Sequence, residues 1–332
     1  MSLQQWHQFL QESAKQNPIG SISDTTSVND TVISDLSHLG LLQIQGADAI
    51  TFLQGQVTND VKLLDGQHAH YTGYCNPKGR LLALFLAFSH NGHIHLQMPK
   101  ALIEAIAKRL KMYVMRSKVE IQDVSESIIK IGLNGTNAAE LLSTQFTAVP
   151  QNTYELITLD NTAIVKLPGD KPRFEIFTDA ASAPAIWNTL SQGAKAVDAT
   201  YWDWLEIQAG IPEVYLETQE DFVPQMLNMD LIGGINFKKG CYTGQEIVAR
   251  THYLGSVKRR THLAHVNALT QPGIGDDVVN NLNEIVGEIV RCAPAPASGY
   301  DVLAEVRLES IEANKLSVNG NALELLALPY AI

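Results

Sequence analysis

Cysteine is scarce: the 332-residue chain has three, Cys75, Cys241 and Cys292, odd in number and far apart. That spacing predicts neither a disulfide framework nor a close-spaced zinc site. Long apolar runs are missing too. The longest, Leu81 to Phe88, is too short to cross a bilayer. Met1 to Asn17 carries Gln, His and Glu where a secretory leader would be apolar, so a cytoplasmic location is expected. Basic residues are few, 24 against 35 acidic ones, and the resulting net charge of −11 disfavours nonspecific attachment to nucleic acid or anionic membrane. No G-x-x-x-x-G-K-[ST] loop, H-E-x-x-H pair or close Cys-His spacing occurs, so no resident metal is expected.

What is present is an ordinary globular composition, 45% hydrophobic and 18% charged, at a length that suggests two or three domains. Periodicity and turn residues predict a helical opening segment, a polar loop from Gly20 to Asp30, and an ordered fold from Val32 onward. Leu41 to Gln45 reads as a strand and Ala47 to Val57 as a helix. The turns Asn76-Pro77-Lys78-Gly79 and Asn91-Gly92 divide three strands, His68 to Cys75, Leu81 to Phe88 and His93 to Met98. A helix from Lys100 to Met112 follows. The order then repeats: strand Ile128 to Leu133, helix Asn137 to Gln145, strands near Tyr154 to Leu159, Ala163 to Leu167 and Phe174 to Thr178, and helix Ala183 to Ser191, an internal duplication of an α+β unit. Helix Asp198 to Ala209 has Asp198 as N-cap and Gly210 as its stop. Beyond Thr261 short alternating runs separated by turns predict a small all-β barrel. The expected divisions are residues 1–31, 32–260 with a split near 126, and 261–332.

Chemistry concentrates between Lys238 and Arg260. Thr243-x-x-Glu246 has the form of a capping box, which would place the Cys241 thiol at a helix N-terminus, where the helix dipole and Lys238 and Lys239 would favour a thiolate. The alternative is that Gly240 and Gly244 serve tight turns and Cys241 fills a small apolar hole. The segment also holds six basic residues, Lys238, Lys239, Arg250, Lys258, Arg259 and Arg260, against the single acid Glu246. Such a cluster either attracts an anionic ligand or forms a solvated face. His68 with His70, and His93 with His95, alternate along strands and are expected to face solvent.

Four groups of residues, Gln54-Gly55-Gln56-Val57-Thr58-Asn59-Asp60, Asn76 to Arg80, Phe222 to Gln225 with Asn228, and Gly233 through Arg250, resemble the signature of the YgfZ family of folate-binding proteins. That family is related in fold to the T-protein of glycine cleavage, a folate-dependent aminomethyltransferase. The resemblance implies an α+β, three-lobed, aminomethyltransferase-like folate-binding fold with a C-terminal barrel. It implies tetrahydrofolate or another reduced folate as cofactor, and iron-sulfur client enzymes, some of which modify tRNA, as partners. The family's cysteine falls on Cys241; of two folate-associated tryptophans, the later falls on Trp202 and the earlier near Leu39. The pterin-binding glutamate of the transferase corresponds to Gln208. Where the transferase has a carboxylate after its turn, Leu81 to Leu84 supplies none, which argues against an active aminomethyltransferase. A third reading, an RNA-binding module using the basic segment, ranks last on net charge and on the lack of interleaved aromatics.

Overall fold

The computed structural model describes residues 3–22, 31–313 and 315–332, so residues 23–30 of the predicted polar loop lie outside it. The helices are α1 (Leu3–Ser13), α2 (Ala49–Gln54), α3 (Ile103–Val114), α4 (Ala138–Gln145), α5 (Ala183–Leu190), α6 (Ala199–Gln208), α7 (Gln245–Tyr253) and α8 (Leu308–Ala313). The first strands are β1 (Val32–Asp35), β2 (Leu39–Gln45), β3 (Ala69–Cys75), β4 (Leu81–His90), β5 (His93–Pro99) and β6 (Glu120–Asp123). Then come β7 (Ile128–Asn134), β8 (Leu156–Leu159), β9 (Thr162–Leu167), β10 (Arg173–Asp179) and β11 (Lys195–Val197). The last are β12 (Arg259–Val266), β13 (Asp277–Val279), β14 (Ile285–Pro294), β15 (Tyr300–Arg307), β16 (Ser317–Val318) and β17 (Asn321–Leu326).

The duplicated order is visible in the sheets. One sheet runs β3-β4-β5-β2-β6 and the other β11-β1-β7-β10-β9-β8. The four-strand order β3-β4-β5-β2 recurs as β8-β9-β10-β7. The place beside the fourth strand differs: β6 takes it next to β2, whereas the upstream β1 takes it next to β7 and carries β11 on its far side in parallel. Short strands such as β1, β6 and β11 carry too few residues to show a period, so the sequence reading missed them. The unbroken apolar run of β4 is buried nearly throughout, as a central strand covered on both faces should be.

The chain divides into two compact units that are not consecutive blocks. One comprises residues 1–49, 63–70 and 86–202, the other residues 50–62, 71–85 and 203–332. In the first unit α1 packs with α4 and α5 on the six-stranded sheet, burying Leu3, Trp6 and Leu10. Trp6 is fully buried, meets Trp187 edge-on at 5.7 Å and donates its indole N–H to Asp35 at 2.8 Å. The fold thus begins with α1 rather than at Val32. His95 corrects another expectation: it is 1% exposed and stacked on Phe88, and burial pushes its pKa down to about 3, so it is a neutral core residue and not a solvent-facing one.

The second unit contains the closed barrel β12-β15-β14-β13-β16-β17 around Val266, Val286, Ile289, Ala304 and Val306. A register shift between Ile289 and Arg291 accompanies the burial of the Arg291 side chain, which donates to Asp203 at 2.9 Å and lies in the field of Glu206, Glu213 and Tyr215. Burial raises Glu213 to about 8, with Arg291 opposing. The folded chain therefore keeps a proton that the unfolded chain releases above its ordinary 4.5, and this site's contribution to stability falls as pH rises from 4.5 through 8. In Glu213→Gln that loss should vanish. Relative to wild type, the variant should gain about 1–3 kcal/mol between pH 5 and pH 8 in urea unfolding; parallel stability curves would contradict it.

Candidate functional site

The sequence-distant motifs of the second unit meet around Cys241. Asn76 closes its turn by accepting the N–H groups of Lys78 and Arg80 at its side-chain oxygen, 2.8 and 3.1 Å away. Gly79 (φ +71°) and Gly244 (φ +84°) then touch backbone to backbone: a Cβ on Gly244 would lie 2.5 Å from the Asn76 carbonyl oxygen and 2.8 Å from the Gly79 Cα. Only glycine permits both the left-handed conformation and this approach. The Gln54 to Asp60 motif binds the same loop. Lys239 donates to the carbonyls of Gln54 and Val57 at 2.7 and 2.5 Å, Thr243 N–H to Gly55, and Asn236 N–H to Thr58. Thr58 in turn donates to the Gly234 carbonyl, and Asn59 to that of Gly233. These bonds explain why α2 stops at Gln54 and does not run to Val57. The Gln54 side chain folds back onto Asp60 and the Val61 N–H, and the following carbonyls serve Lys239 and the loop.

Gln225 and Asn228, both fully buried, hold the far side by donating to the carbonyls of Val248 and Thr261, each at 2.7 Å. In this frame Tyr242 is buried beneath the Lys239 ammonium, 4.9 Å from the ring centre, while Gly240 and Cys241 are exposed. The loop is pinned on its inner side and open at the thiol.

Two expectations about this segment are corrected. The capping box is not formed: α7 starts at Gln245 with Gly244 as its N-cap and no side-chain capping bond, so Tyr242, Thr243 and Gly244 separate Cys241 from the helix. The basic cluster is also smaller than its sequence suggests. Lys239 is buried in the bonds just described. Arg259 makes a two-pronged pair with Glu305 at 2.5 and 2.7 Å, and Arg260 does the same with Asp230 at 2.5 and 2.9 Å. Lys238, Arg250 and Lys258 remain exposed.

Beside them lies a feature that the sequence reading missed. Phe237 and His252 stack with ring centres 3.7 Å apart and planes 13° apart, and Tyr253 meets His252 edge-on at 4.6 Å. Tyr253 and Leu254 are 64% and 85% exposed. Fifteen positions of sequence separate Phe237 from His252, and no local period links them.

The residues expected at a folate divide between the units. In the first unit Leu39 opens β2, partly buried. Trp202 is 1% exposed: its ring lies so tightly on Gly132 that a Cβ there would be 2.5 Å away, and the Arg173 guanidinium sits 5.3 Å from the ring centre. An accessible aromatic face at Trp202 is therefore absent in this conformation. In the second unit Gln208 is partly exposed and donates to Asp301 at 2.9 Å. Trp204, one helical turn earlier and also partly exposed, donates its indole N–H to the same oxygen at 2.7 Å, and His265 bonds the other oxygen at 2.8 Å. Asp301 thus sets the orientation of an aromatic ring and an amide on one face of α6.

The fold has a solved counterpart. The aminomethyltransferase T of the glycine cleavage system from Bartonella henselae superposes with a TM-score of 0.72, covering 91% of this chain and 86% of that one at 17% identity. The molecule is therefore a mixed α and β protein of the aminomethyltransferase T fold with a C-terminal barrel, the class expected from its sequence. The family model for the GCVT N-terminal domain matches residues 8–236. The chain is 35% identical over 250 residues to the tRNA-modifying protein YgfZ of Colwellia psychrerythraea, covering 75% of this chain and 76% of the relative, and 32% identical over 310 residues to that of an Enterobacter species, covering 91% and 94%. It belongs to the YgfZ family.

Proposed function

We propose that this protein is a reduced-folate-binding accessory protein that supports the assembly or repair of iron-sulfur clusters in client enzymes, including those that modify tRNA, with the Cys241 thiol as its chemical centre. One observation carries the reading: an exposed thiol stands on a loop fixed by buried bonds from three sequence-distant motifs. Buried polar groups paired in this way hold the turn in one position, which is what a reactive group at its tip requires.

Folate fits the second unit better at Gln208 and Trp204 than at Trp202. The Gln208 amide is oriented by Asp301 and offers its carbonyl to the N–H edge of a pterin, and the Trp204 ring offers apolar area beside it. Bound tetrahydrofolate would supply a reduced pterin able to carry a one-carbon unit; the chain's part is to bind and orient it. Aminomethyl transfer is the poorer reading, because Leu81 to Leu84 is buried strand and carries no group that could take a proton from a reacting amine.

Calorimetric titration with tetrahydrofolate tests the folate half. Wild type should bind, and Gln208→Ala should bind roughly tenfold more weakly through loss of a hydrogen bond. Absence of any heat at millimolar ligand would remove folate from the reading.

A further inference from the structure

Phe237, His252 and Tyr253, with the exposed cations Lys238 and Arg250, form a built platform in the second unit, and we infer that it binds single-stranded RNA, one or two unpaired bases stacking on His252 and Tyr253 while Lys238 and Arg250 take the flanking phosphates. The inference rests on the proposed link to tRNA modification for its biological setting, but its physical case is independent.

Phe237 and His252 are stacked on each other before any partner arrives. Asn236 on one side of Phe237 donates its N–H to Thr58 and accepts that of Lys238, and Phe237 in turn stacks on His252 at 3.7 Å. A stacking surface that is already ordered spares the entropy of ordering it on binding. Exposed aromatic rings are the sequence-tolerant means by which proteins hold unpaired bases. Charge decides between an RNA and an apolar protein segment as the occupant. In a chain of net charge −11, this patch presents Lys238 next to Phe237 and Arg250 one turn before Tyr253 on α7, against Glu246 as the one acid of that helix, so it is locally positive and attracts a polyanion. The lack of interleaved aromatics that ranked an RNA role last in the sequence is removed by tertiary contact, because Phe237 comes from one loop and His252 and Tyr253 from a helix.

The test is fluorescence anisotropy of a labelled, unstructured RNA of about 12 nucleotides, long enough to cover one such site, with the full chain at low salt. Wild type should bind it in the micromolar range and bind a matched duplex at least about tenfold more weakly, since paired bases cannot stack on protein. The double variant His252→Ala/Tyr253→Ala should lose about tenfold or more. Arg250→Ala should weaken binding and lower the slope of log K against log salt by about 0.7. Thermal unfolding and tetrahydrofolate calorimetry of the same variants should match wild type, which separates this inference from the folate reading. No anisotropy change at about 100 μM protein, far above the expected micromolar affinity, would overturn it, as would unchanged affinity in the double variant. If the double variant binds RNA normally but fails to complement a deletion strain, the platform docks a protein and the RNA assignment is wrong.

Discussion

Iodoacetamide at pH 8 should label Cys241 and leave Cys75 and Cys292 essentially untouched until the chain unfolds. Burial pushes both of the latter thiols up to about 12, so at pH 8 only ~10⁻⁴ of either is thiolate, the reacting form. They are also 1% and 9% exposed, which excludes the reagent, whereas Cys241 is open to it. The rate ratio read by mass spectrometry should exceed ~10³; comparable labelling of Cys75 or Cys292 in native protein would refute it. The same exposure predicts that Cys241→Ala keeps its stability to within about 0.5 kcal/mol, since no packed volume is lost. On the proposed function, that stable variant should fail to restore client iron-sulfur enzymes in cells. Full complementation would remove the thiol from the mechanism and leave folate binding as the role.

Two adjacent lysines should differ sharply in their effect on folding. Lys239→Met deletes two charge-assisted bonds to buried backbone carbonyls and the cation above Tyr242, and should cost about 2–4 kcal/mol. Relief of the buried charge offsets part of this loss, since burial already draws the Lys239 pKa down to about 8. Lys238→Met, at an exposed position next door, should fall within about 0.5 kcal/mol. Chemical unfolding at pH 7 reads both; equal effects would mean that Lys239 does not clamp the Gln54 to Asp60 motif to the cysteine loop.

The helices, most strands and the barrel were legible because their signals are local. Asp198 just before a helical run is the pattern of an N-cap, and it accepts the N–H groups of Thr200 and Tyr201 at 3.0 and 3.3 Å. The strand β4 announced itself as a continuous apolar run, and the duplicated order emerged from the repeated alternation of strand and helix signals. The capping box at Thr243 failed for an instructive reason. Its residues have the right spacing, but close contact between Gly244 and Gly79 puts a glycine at the cap position.

By itself the sequence determined the element types, the barrel, the family and the importance of the segment around Cys241, because propensity, turn chemistry and motif spacing act over a few residues. Tertiary structure alone decided which of its charges are available. Lys239, Arg259 and Arg260 are spent on partners 46 to 185 positions away or on Asp230, 30 positions away, while Lys238 and Arg250 are not buried. It also decided that β1 completes the second sheet, that Trp202 is sealed against Gly132 while Trp204 stands with Gln208, and that Phe237 finds His252. Each of these depends on the free energy of bringing remote segments together, where burial of one group is settled by what another part of the chain covers, and no local pattern encodes that choice.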